Sequence, residues 1–162
     1  MTRPTPAVPA TSAVPAPCAQ PDAAPAAATP PAVLPALRDL ARERPIELTV
    51  RGDCMAPRLH DGDLVAVAPA RRYWPGDLVA FHTPQGRIAL HRMLGFRLLA
   101  GRLAYVTRGD RSASPDTPLA ADRLLGRAAV PASPGERLRA VAALLGLALR
   151  AVRRRLAAFA RL

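Results

Sequence analysis

The spacing of apolar and polar positions changes several times along the chain, and each change marks an element. Leu34, Leu37 and Leu40 recur at helical spacing. Pro45 closes that segment, because the residue before a proline is biased away from helix. Ile46 to Val50 alternates apolar and polar positions, the period of a half-buried strand. Leu64 to Ala68 predicts a second strand. Tyr73-Trp-Pro-Gly-Asp-Leu-Val-Ala-Phe-His82 predicts a Gly-Asp turn leading into a third. Thr83 to Gly86 reads as a hairpin-type loop and Ile88 to Leu94 as the return strand. Gly101 separates it from a strand at Leu103 to Thr107, and a polar loop over 108–118 precedes a last strand at Leu124 to Val130. Short strands with Gly, Pro and Asp punctuation predict a mainly β, coiled-sheet domain over 36–131.

Both flanks break the strand pattern. Residues 1–35 are mostly alanine and proline, which supply little bulky apolar surface to offset ordering entropy. They predict a disordered, partly extended tail with neither the basic start and apolar run of a signal peptide nor the length of a membrane span. Residues 132–162 predict an amphipathic helix. Ser133-Pro-Gly-Glu136 has the composition of a helix start. Leu138, Val141, Leu145, Leu149, Val152, Leu156 and Phe159 follow at helical spacing, with Arg150, Arg153, Arg154 and Arg155 loading the second half with charge. The helix admits two readings. It packs its leucine face on the sheet or on another subunit, or it makes a peripheral membrane contact through 137–162, with arginines on anionic lipid.

The net charge of +11 comes from 23 basic and 12 acidic residues, and every basic residue is arginine. The arginines are scattered and aromatics are few, so a nucleic-acid partner is not expected. Two cysteines, Cys18 and Cys54, are too few for a disulfide framework, and Cys18 lies in the tail. No metal-ligand spacing occurs, and no cofactor signature.

The candidate chemistry sits in Gly52-Asp-Cys-Met-Ala-Pro-Arg-Leu-His-Asp-Gly-Asp63. Cys54 lies where a strand ends and the chain bends. Pro57 stiffens the segment that presents the thiol. The stretch resembles the Gly-x-Ser-Met-x-Pro-x-Leu-x-x-Gly-Asp box of the signal peptidase I family and its LexA-type relatives, with cysteine in place of the nucleophilic serine. The resemblance extends over roughly 46–130. His91 in Ala89-Leu-His-Arg92 resembles the His-Arg that follows a strand in the archaeal and endoplasmic-reticulum type, where histidine replaces a lysine base. This chain has no lysine. Arg108-Gly-Asp110, then Pro115-Asp116, resemble the Gly-Asp and later Asp of that type.

The resemblance implies a LexA/signal peptidase-like fold and a peptidase with Cys54 as nucleophile, His91 as base, and Asp110, or after it Asp116, orienting the imidazole. Met55 and Pro57 would shape the groove wall. The substrate would be a leader or signal-like peptide with small residues before the cut. With no secretion signal or anchor expected, the protein is placed in the cytoplasm or on the inner membrane face. The alternative is a catalytically inactive peptide-binding module of the same fold. His60 and His82 are expected to be packed and hydrogen-bonded, and Asp53, Asp61, Asp63 and Asp77 to serve turns.

Overall fold

The computed structural model describes residues 30 and 32–159, so most of the 1–35 tail and Cys18 lie outside the described residues. A first helix, α1 (Val33–Glu43), leads into β1 (Ile46–Thr49), β2 (Leu64–Ala68), β3 (Leu78–His82), β4 (Ile88–Leu99) and β5 (Arg102–Arg108). A single 3-10 turn, Ala121–Arg123, precedes β6 (Leu124–Ala128), and α2 (Pro134–Phe159) follows. The strands form one six-stranded antiparallel sheet in the order β1-β2-β6-β3-β4-β5. The two helices occupy 11 and 26 residues, so helix and sheet hold similar shares of the chain. The architecture is more mixed than a mainly β reading allows.

Strand alternation sorts the core onto two faces. Leu78 and Ala80 of β3 join Val65 and Val67 of β2 in a cluster that α1 covers with Leu37, Leu40 and Ala41. Val79, Phe81 and Met93 face the other way, against Leu119, Leu124 and Tyr73. Central β3 is therefore buried along its whole length. Gly126 on β6 lies so close to β2 that a Cβ there would stand 2.5 Å from the Ala68 carbonyl oxygen.

The start of α2 follows from its sequence. The Ser133 N–H donates to the Glu136 carboxylate at 2.7 Å, and the Ser133 hydroxyl accepts from the Glu136 N–H at 3.3 Å. This reciprocal pair satisfies donors that a helix start leaves free. The helix then lays Ala140, Ala143, Leu144 and Leu147 over Leu94 and Val106 of β4 and β5. Gly95 permits the approach, since a Cβ there would lie 2.5 Å from the Leu144 side chain.

Two sequence expectations change. β4 does not stop at Leu94 but runs to Leu99, because a register shift between Met93 and Gly95 absorbs the glycine without ending the strand. The leucine stripe of α2 does not pack on the sheet. A different set of positions makes that contact, and Leu145, Leu149 and Leu156 remain more than 60% exposed.

Replacing Gly126 with alanine should push β6 away from β2 and cost about 1–3 kcal/mol, the range for overpacking a close contact. The urea midpoint should fall with the slope unchanged.

Candidate active site

The segment carrying Cys54 is a closed loop between β1 and β2. Val50 N–H donates to the Asp63 carbonyl at 2.8 Å, and Gly62 N–H donates back to the Val50 carbonyl at 3.0 Å. The turn aspartates act as expected of their residue type. Asp61 accepts from the Gly52 N–H at 2.7 Å, and Asp63 accepts from the His60 N–H at 2.8 Å. Met55 is fully buried in the core cluster and anchors the loop from below. It is thus a packing residue, not part of an open groove wall. The exposed Pro57, joined to Ala56 by a cis peptide bond, does line a cleft of about 480 Å³ with Arg58, Arg92, Arg108 and Glu136.

Cys54 is half-buried and carries a free thiol. Its carbonyl accepts from the Arg111 N–H at 3.0 Å, which clasps the loop to the segment after β5. Gly109 makes the approach close: a Cβ there would stand 3.2 Å from the Cys54 carbonyl oxygen and 3.4 Å from its Cβ. A Cβ there would also stand 2.7 Å from the Ser112 hydroxyl, so this glycine is hemmed in by the cysteine loop and by its own turn.

His91 comes from β4. β5 begins to pair with β4 only at Arg92 opposite Arg108, so among the described strands Ile88 to His91 pair with β3 alone. The imidazole stands at this open edge. Its Nδ1 lies 2.7 Å from Asp116 Oδ2. The same oxygen accepts from the Thr107 hydroxyl at 2.7 Å, and the Asp116 N–H donates to the Thr107 carbonyl at 2.9 Å. Thr107 is completely buried and holds Asp116 through both its hydroxyl and its backbone carbonyl. The Phe81 ring meets the imidazole edge-on, with centroids 5.7 Å apart. The Cys54 side chain also acts on the imidazole, favouring its charged form. With Nδ1 facing Asp116, the other ring nitrogen is Nε2.

Burial opposes charge on the His91 ring. Hydrogen bonds to Asp116 and Cys54 outweigh it, and the pKa is raised from 6.5 to about 9.

Asp110, the carboxylate preferred by sequence to orient the imidazole, does something else. It receives a two-point ion pair from Arg92, Nε to Oδ1 and Nη2 to Oδ2, both at 2.7 Å. Arg92 also donates to Glu136 at 2.9 Å and to the Gly76 carbonyl at 2.8 Å. The reason is strand alternation. His91 and Arg92 are neighbours and point to opposite faces, so a carboxylate reaching one does not reach the other. His60 is exposed, contrary to the expectation of packing, whereas His82 is buried. Thr107 had not been singled out. A lone hydroxyl at the inward-facing end of the Leu103 to Thr107 strand was the available signal.

Asp116→Asn should bring the His91 titration, followed by imidazole NMR, down toward 6.5. The raised folded-state pKa contributes stability that is fully present below pH 6.5 and lost as pH climbs through about 9. The stability gap between native protein and this variant should therefore be widest near pH 6, on the order of 2 kcal/mol, and shrink by pH 9.5. Arg92→Ala would instead strand Asp110 and Glu136 without their cation. About 3 kcal/mol of stability should be lost in chemical denaturation.

No protein-family model, curated protein or solved structure matches this chain. What can be said of its chemistry comes from the box around Cys54 and from the placement of Cys54, His91 and Asp116.

Proposed function

We propose that this chain is a peptidase of signal peptidase-like fold that cleaves an extended leader or signal-like peptide through Cys54. The observation that carries the reading is the single imidazole bonded to a carboxylate that buried Thr107 holds, with the Cys54 side chain acting on the same ring. A nucleophile, a base and a group orienting that base are the minimum for acyl transfer. The Cys-Met-x-Pro and Gly-Asp residues of the box, and the antiparallel sheet that supports them, agree with this reading.

In the proposed reaction the proton shared by the Cys54–His91 pair rests on Nε2 of His91, and the Cys54 sulfur attacks the scissile carbonyl carbon. The backbone N–H of Cys54 is the proposed donor to the developing oxyanion. Collapse of the tetrahedral species breaks the C–N bond as His91 returns the proton to the leaving amine. A water, deprotonated by His91, then hydrolyses the thioester. Asp116 holds the ring and supports its charge throughout. The free β4 edge at Ile88 to His91 lies beside the imidazole, so a substrate strand can be held there by main-chain hydrogen bonds.

Peptide libraries with small residues before the scissile bond, analysed by mass spectrometry, should yield a cleavage product. Cys54→Ala and His91→Ala should each abolish it, and Asp116→Asn should lower turnover by about 10²-fold or more. Iodoacetamide should label Cys54 rapidly near pH 7 in the native protein and slowly in His91→Ala. Binding of the same peptides without cleavage, together with slow labelling in the native protein, would favour a non-catalytic peptide-holding module.

A further inference from the structure

Helix α2 carries two apolar faces, and among the described residues only one is covered. Ala140, Ala143, Leu144 and Leu147 rest on the sheet. Leu145, Leu149, Val152, Leu156 and Phe159 all point to solvent, at 51–79% exposure. At about 100° per residue, the exposed stripe occupies an arc of about 80° centred about 150° from the sheet-facing one. From Ala148 to Phe159 every residue is exposed, so about 18 Å of helix is left uncovered by the described residues. Among the described residues, no helix is long and apolar enough to cross a membrane, so a span does not explain the stripe.

Charge points to what covers it. Every ionisable side chain from residue 137 onward is arginine, and there is no acid in that stretch. By the same helical geometry, Arg153 and Arg155 fall about 80° to either side of the stripe. From there their stems can lie along an apolar boundary while the guanidinium groups reach upward. α2 runs in the direction of β4, with Glu136 at Arg92 and Leu144 at Gly95. Pairing the stripe with a second copy would bring two arginine-only segments together, in parallel or antiparallel arrangement alike.

We propose that the free face of α2 docks this protein on an anionic lipid bilayer, with Leu149, Val152, Leu156 and Phe159 in the acyl boundary and Arg153 and Arg155 on lipid phosphates. An amphipathic helix of this kind lies in the interface plane and does not span. Anionic headgroups attract the arginines within a Debye length, so the attraction is salt-dependent. The inference does not depend on peptidase chemistry, because none of these residues belongs to the Cys54–His91–Asp116 cluster.

Vesicle flotation of the full chain tests it. The protein should float with phosphatidylcholine vesicles containing phosphatidylglycerol. It should bind at least tenfold more weakly to pure phosphatidylcholine, or when NaCl is raised to about 0.5 M. Leu149→Glu with Leu156→Glu should reduce binding at least tenfold, and Arg153→Gln with Arg155→Gln should remove most of the preference for the anionic lipid. Both pairs are exposed, so thermal unfolding should be unchanged and loss of fold would not mimic the result. The proposal fails if the native chain does not float with anionic vesicles or if the double glutamate variant floats equally well. It fails too if sedimentation shows a dimer that the glutamates dissolve while flotation is absent, for then a second copy covers the stripe.

Discussion

Arg92 is a cation that the fold has removed from water, and the arrangement around it fixes much of the site. Its side chain is 8% exposed and is neutralised by Asp110 from the loop after β5 and by Glu136 from the first turn of α2. Leaving either carboxylate out would bury an incompletely compensated charge, a cost of several kcal/mol in protein interiors. The loop and the helix start are therefore drawn to the same point on β4. Glu136 serves twice, closing its own helix terminus with Ser133 while meeting the guanidinium.

That constraint reaches the candidate nucleophile through the backbone. Once Asp110 is held, Gly109 is pressed against the Cys54 loop and Arg111 donates to the Cys54 carbonyl. A few residues on, Asp116 returns to Thr107 and stands beside His91. Two consecutive residues of one strand thus divide the work. Arg92 fastens the loop on one face, and His91 uses what the loop carries on the other. The His-Arg dipeptide acquires a physical meaning from strand alternation that neither residue has alone.

α2 links this centre to the outer surface. Its first turn is tied to Arg92, its middle is packed at Gly95, and its last turns leave the sheet with apolar side chains and arginines exposed. If the free face lies on lipid as proposed, the helix sets the orientation of the sheet relative to the bilayer, and with it the direction from which the peptide of the proposed reaction would reach the β4 edge. A rigid helix tied at its start suits that role better than a flexible tether.

Local chemistry was legible in the sequence wherever the cause is local. The helix at 33–43, the strand at 64–68, the capping pair Ser133 and Glu136, and the turn roles of Asp61 and Asp63 all depend on residues within a few positions of one another. The residue types of a thiol, an imidazole and two carboxylates could likewise be named from their surroundings in the chain. Partner choice could not. Whether Asp110 or Asp116 meets His91 depends on which face each side chain of β4 presents and where β5 stops, both properties of sheet register. Met55 becomes core because the loop folds inward over β2, and the leucine stripe of α2 stays free because Ala140, Ala143, Leu144 and Leu147 meet the sheet at a different angle around the helix. Sequence alone settled which groups are present and how each short segment bends. Only tertiary structure decided which groups touch, because contacts between distant segments are set by the packing of whole elements.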